Sequence, residues 1–139
     1  RGGTAETINL TSRAAAFGDL DGDGGVDIVV VNRDAPANLY RNIAARRGNW
    51  VRLQILNEAG MPAIGGMVSG TIGERTITRP VRRAYSYMAS NEPTVHIGLG
   101  SATELGQVRV RWPGGGVTEH GSITAGTVHT LRRTPSGER

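Results

Sequence analysis

The sequence predicts an all-β protein, a β-hairpin packed on or preceding an antiparallel β-sandwich or barrel-like domain. Three observations carry that expectation. Glycine is abundant, at 21 of 139 residues, and an interior glycine costs a helix about 1 kcal/mol. Apolar and polar residues alternate over short stretches, as in Val51-Arg52-Leu53-Gln54-Ile55, which is the period of a half-buried strand. Glycine-rich turn signals separate these stretches at short intervals, the pattern of a sandwich or distorted barrel. No stretch has a convincing helical period.

The chain is organised around Asp19-Leu20-Asp21-Gly22-Asp23-Gly24-Gly25-Val26-Asp27, which holds four of the five aspartates. Carboxylates at loop positions 1, 3, 5 and 9 repel one another unless a cation lies among them. Ca²⁺ takes six to eight oxygens at about 2.3–2.6 Å from carboxylates, backbone carbonyls and water. Asp19, Asp21, Asp23 and Asp27 are therefore the candidate ligands, with the Gly25 carbonyl at position 7. Gly22 and Gly24 let the chain curl, because glycine accepts positive φ. An EF-hand shares this spacing but closes with a bidentate Glu at position 12, where this chain has Val30. Ile28-Val29-Val30-Val31 is a β-branched run that reads as a buried strand. Arg13–Phe17 lies upstream without a helix cap. The loop therefore joins two strands. The plain alternative is an acidic glycine-rich turn without metal.

Phe17-Gly18-Asp19-Leu20-Asp21-Gly22-Asp23-Gly24, then Asp27-Ile28-Val29-Val30, resembles the FG-GAP/VCBS repeat, a blade unit of integrin-type β-propellers. Asn38-Leu39-Tyr40-Arg41-Asn42 fits the end of that repeat. The resemblance implies that the matching aspartates hold Ca²⁺ in a strand-to-strand loop. Residues 1–45 are thus expected to be a partial repeat with a calcium loop, including a strand remnant around Ile8 and Leu10. Two or three strands make less than a four-stranded blade, so the hairpin needs a neighbour to cover it.

A polar, basic boundary at Arg46-Arg47-Gly48-Asn49 opens a second part, residues 46–133. Val51, Leu53 and Ile55 are expected to face inward. Val68 and Ile72 share a face in a glycine-studded strand. Arg75–Val81 is interrupted at Pro80 and reads as an edge strand. Thr94–Leu99 and Gln107–Trp112 follow, the latter with Val108, Val110 and Trp112 inward and Arg109 and Arg111 outward. Gly114-Gly115-Gly116 turns the chain into a last strand, Thr127–Arg132. Residues 134–139 read as a disordered tail. Asn49-Trp50-Val51-Arg52-Leu53, Ala63-Ile64-Gly65-Gly66-Met67-Val68, Tyr87, Val95-His96-Ile97-Gly98-Leu99-Gly100 and Val110-Arg111-Trp112-Pro113-Gly114-Gly115 are similar, in that order, to the ASPIC/UnbV domain. That resemblance implies a C-terminal position after FG-GAP/VCBS repeats in a secreted protein, and it implies no catalytic group.

Composition narrows the function classes. All 16 basic residues are arginine, against 12 acidic residues, for a net charge of +4. The arginines are spread along strands without the aromatic interleaving that stacks bases, so no nucleic-acid partner is expected. No apolar run approaches the roughly 20 residues of a membrane span. Without cysteine there is neither a disulfide framework nor a thiolate zinc site. A weak calcium module works where the ion is near millimolar, outside the cytosol. A secreted, periplasmic or cell-surface setting is therefore expected. Any export signal would lie upstream, because the chain opens on Arg1 rather than Met.

Catalysis needs positioned acids, bases or nucleophiles, and no nucleophile elbow, P-loop or H-E-x-x-H occurs. His96 lacks a visible orienting partner, His120 falls in a turn region and reads as exposed, and His129 shares a strand face with Leu131. Trp50 opposes the phase of Val51, Leu53 and Ile55, so it is a candidate exposed aromatic. With Tyr87 and His96 it forms the candidate ligand-binding set. The expected function is a calcium-binding, non-catalytic interaction or adhesion module of an exported β-propeller protein, acting on an extracellular protein or glycan. The alternative is a carbohydrate-binding accessory domain of a polysaccharide-degrading enzyme. Self-association through exposed strand edges is a further expectation.

Overall fold

A computed structural model describes residues 9–44 and 48–134. It contains ten strands and no helix among those residues. They form three sheets, with strand orders β1-β2-β3, β10-β4-β7 and β6-β5-β8-β9. The fold is all-β, as the glycine content and the alternating pattern predict. The described residues divide into two compact units, one from Arg1–Arg47 with Ala84–Glu92 and the other from Gly48–Arg83 with Pro93–Arg139. The expected strand remnant at Ile8 lies outside the described residues. So does the expected tail, apart from Thr134.

The first unit is a three-stranded antiparallel sheet of β1 (Ser12–Gly18), β2 (Asp27–Asn32) and β3 (Asn38–Tyr40). Phe17 pairs with Ile28, and Ile28 with Tyr40. This puts the loop Asp19–Val26 between the first two strands, with the end of the third beside it. Apolar side chains point to both faces. Phe17, Val31 and Leu39 are 40%, 49% and 63% exposed. Ala84–Glu92, which the sequence reading places inside the second part, packs with this unit.

The second unit is a β-sandwich. One sheet comprises β4 (Asn49–Leu56) between β7 (Thr94–Gly100) and β10 (Val128–Arg132). The other runs β6 (Arg75–Pro80), β5 (Met67–Ile72), β8 (Glu104–Arg111) and β9 (Val117–Thr124). Val51, Leu53 and Ile55 from β4 and Val95, Ile97 and Leu99 from β7 meet Val68, Ile77, Leu105, Val108, Val110 and Trp112 in one core. Every fully buried apolar side chain among the described residues belongs to this unit. The inward phases read for β4, β5 and β8 hold, and Pro80 lies on the edge strand β6.

Three features depart from the pattern. First, β10 runs parallel to β4, with Leu131 opposite Ile55, while all other pairs are antiparallel. Second, β8 starts at Glu104, because Gln107 takes a φ of 47° and the register shifts there. The resulting bulge lets both Leu105 and Val108 point inward although three positions separate them. Third, β9 exists where the sequence suggests only turn. Its inward positions include Thr118 and His120, both half-buried, so its apolar alternation is masked.

Candidate metal centre

The chain turns between β1 and β2 with φ of 76° at Gly22 and 85° at Gly24, the left-handed region that glycine enters without penalty. The curl brings carboxylate oxygens of Asp19, Asp21 and Asp27 within 4.8 Å of one another. Two oxygens on opposite sides of an ion at about 2.4 Å are about 4.8 Å apart, so the separation suits one hard cation. The donors are oxygen only, which agrees with Ca²⁺ chemistry and not with that of a soft metal.

Backbone amides hold these carboxylates in place. The Leu20 N–H donates to Asp27 Oδ2 (3.0 Å), and the Asn42 N–H, just beyond β3, donates to Asp27 Oδ1 (2.7 Å). Asp27 is thereby accommodated at 2% exposure. The Gly24 N–H donates to Asp19 Oδ2 (3.0 Å), while Asp19 Oδ1 is itself buried. Asp21 accepts from the Asp23 N–H at 3.3 Å, and its Oδ2 receives the Arg41 guanidinium, with Nε at 2.6 Å. Asp23 stands outside the three-carboxylate cluster, and its Oδ1 accepts the Gly25 N–H at 2.8 Å. Gly25 is buried within the loop. Arg41 is the participant that ligand spacing cannot reveal. Its one sequence signal is its place in Asn38-Leu39-Tyr40-Arg41-Asn42, the stretch that resembles a repeat end.

The aromatic candidates separate. Trp50 and His96 stack on neighbouring strands of the sandwich, with ring centroids 5.9 Å apart and planes 15° from parallel. Each is half-buried. Tyr87 belongs to the first unit, in the segment 84–92, and is 70% exposed.

The other histidines make contacts within the sandwich. Trp112 Nε1–H donates to Thr118 Oγ1 (3.1 Å), which lies 2.9 Å from His120 Nε2. His120 is half-buried in β9 rather than exposed in a turn, and this burial lowers its pKa below the ordinary value. His129 Nε2 lies 2.7 Å from the Thr127 hydroxyl and 2.9 Å from the Thr124 carbonyl, and so ties the β9–β10 turn together.

Comparison with known proteins bears on the part of the chain that follows the loop. The family model described as ASPIC and UnbV matches residues 57–138, more than half of the chain. The chain belongs to the ASPIC and UnbV family. It is also 30% identical over 101 residues to cartilage acidic protein 1 of Mus musculus, covering 70% of this chain and 16% of that protein. The chain therefore spans about a sixth of that relative's length. The match to the ASPIC and UnbV family begins just after β4, takes in the other six strands of the sandwich and also includes segment 84–92, whose side chains serve the first unit. No helix of the described residues is long and apolar enough to cross a membrane.

Proposed function

We propose that this chain is a calcium-binding, non-catalytic interaction module of an exported protein, its first unit an FG-GAP/VCBS-type blade remnant that precedes the ASPIC/UnbV sandwich. The observation that carries the reading is the convergence of Asp19, Asp21 and Asp27 within 4.8 Å in a glycine-turned loop. Asp23 and the Gly25 carbonyl complete the proposed set, directly or through water. A relative named for cartilage agrees with an extracellular setting, where calcium is abundant enough for a weak site. The incompletely covered faces of the first unit agree with a module built to stand beside other modules.

Binding of the ion links to stability, since a ligand that binds only the folded state stabilises it by about 2.7 kcal/mol at 100 times its dissociation constant. The test is thermal melting of the wild type and of Asp21→Ala/Asp23→Ala, each in chelator and in millimolar calcium. A calcium-dependent rise in the wild type alone is expected. Equal rises in both proteins would place the ion elsewhere, and no rise in either would leave an acidic turn.

A second reading, a carbohydrate-binding accessory role, is favoured by the Trp50–His96 stack, because aromatic surface of this kind packs on the apolar patches of sugar rings. Glycan-array binding that disappears on Trp50→Ala would support it.

A further inference from the structure

β1 is the outer strand of its sheet. An antiparallel strand directs alternate residues' N–H groups at its neighbour and the remainder away from it. In β1 the outward set includes Ala15 and Phe17, and both are capped by side chains of the segment 84–92. The Ala15 N–H donates to Ser86 Oγ at 3.2 Å, and the Phe17 N–H donates to Asn91 Oδ1 at 2.6 Å. Asn91 is 6% exposed and Ser86 half-buried. The two amides are two residues apart, about 6.8 Å along a strand. The two acceptors are five residues apart in a segment that forms no strand. Between them the chain bulges outward at Met88, which has a φ of 50° and is 84% exposed. Two side chains thus occupy the positions at which a pairing strand would offer carbonyl oxygens.

The other protective features of β1 sit at its start, in the charge of Arg13 and the register shift between Ser12 and Ala14. From Ala14 to Gly18 it has neither charge nor proline, devices that keep an edge from pairing with another chain. Ala14, Ala15 and Ala16 also leave little side-chain bulk against close approach.

We infer that the segment 84–92 is a strand-edge guard, in which Ser86 and Asn91 stand in for a neighbouring strand on β1, and that withdrawing it opens the edge to antiparallel addition of β1 from a second copy of the chain. The self-association surface is then a masked one, governed by a loop that arrives from the ASPIC/UnbV part of the sequence. This inference is independent of calcium.

The test uses the full chain carrying Ser86→Ala with Asn91→Ala, read by residue-resolved amide exchange and by sedimentation over a range of concentrations. In dilute solution, exchange at Ala15 and Phe17 should accelerate by about 10–100-fold, the scale of losing one hydrogen-bond partner, while amides of β4 and β7 keep their protection. At high concentration the variant should dimerise and the two amides should regain protection. Asn91→Asp keeps an acceptor oxygen and should stay monomeric with Phe17 protected. Wild-type exchange at Ala15 and Phe17 in the double variant would overturn the inference. So would persistent monomers, or a dimer in which those amides stay fast. General loss of protection in β4 and β7 would also overturn it, by making the segment a requirement for folding and not a local guard.

Discussion

Arg41, one residue past the end of β3, lays its guanidinium on the carboxylate of Asp21, with Nε 2.6 Å from Oδ2. The cluster of Asp19, Asp21 and Asp27 therefore already has one tethered positive charge at its rim. Arg41→Gln should have effects of opposite sign in two conditions. In chelator the variant should melt lower, because repulsion among the carboxylates is no longer offset. In calcium its affinity should rise by about tenfold, the scale of removing one like charge a few ångströms from a divalent ion in a solvated site. Arg41→Lys should stay near the wild type in both. Calorimetric calcium titration with paired thermal melts checks this, and a weaker-binding Arg41→Gln would make the arginine an organiser of the loop.

Asp27 and Asp23 should differ sharply in metal-free protein. Asp27 is buried and accepts from two backbone amides on separate segments, Leu20 and Asn42. Asp27→Ala strands both donors and should destabilise the first unit by about 2–3 kcal/mol. Asp23 is exposed, and its Oδ1 accepts the Gly25 N–H two residues further on. Asp23→Ala should cost less than half as much. Amide exchange of β1 and β2 in chelator gives the comparison, and equal losses would contradict it.

His120 gives the sandwich a pH dependence of fixed sign. Burial lowers its folded pKa, so the unfolded chain binds the proton first as pH falls. Stability is then full above about pH 6.5, the unfolded value, and declines as pH drops towards the folded pKa. His120→Asn should flatten that part of the profile. Melting curves of both proteins between pH 5 and 8 isolate the effect from His96 and His129, and identical slopes would show that His120 does not contribute.

Gly48 lies against the backbone of Gly100, where an added Cβ would stand 2.7 Å from Cα and 2.8 Å from the carbonyl oxygen. Backbone cannot swing aside as a side chain can. Gly48→Ala should therefore cost about 1–3 kcal/mol, the range for overpacking, with the loss concentrated at the start of β4. Gly98→Ala, which meets nothing within 4 Å, is the matched control in urea denaturation. Similar midpoints for the two would refute the contact.

The hairpin on its own should not fold. Its sheet has no fully buried apolar side chain among the described residues, and the caps on its β1 edge come from Ser86 and Asn91, far along the chain. Three strands without a covered face are marginal in water. A fragment of residues 1–45 should give a coil-like spectrum and aggregate. A monomeric, cooperatively melting fragment would contradict this.

Local residue pattern is enough to set the strand class, the inward phases of Val51-Leu53-Ile55 and of Val108-Val110-Trp112, and the loop that gathers Asp19, Asp21 and Asp27. Each of these is local. A period of two and a ligand spacing are written within a few consecutive residues, and glycines at the turns fix the curl. The assembled fold supplied what local pattern cannot carry. It set β10 parallel to β4, because strand direction follows the path of the connections and not the alternation within the strand. It extended β8 through a bulge at Gln107 and formed β9 with inward Thr118 and His120 ahead of the buried Ile123, Thr118 accepting from Trp112. It stacked Trp50 on His96 from strands more than forty residues apart. Above all it delivered Arg41 to Asp21, and Ser86 and Asn91 to the edge of β1. Side-chain partners at such separations leave no periodic trace, because the groups that need them are backbone amides and charges whose positions exist only once the sheets have formed.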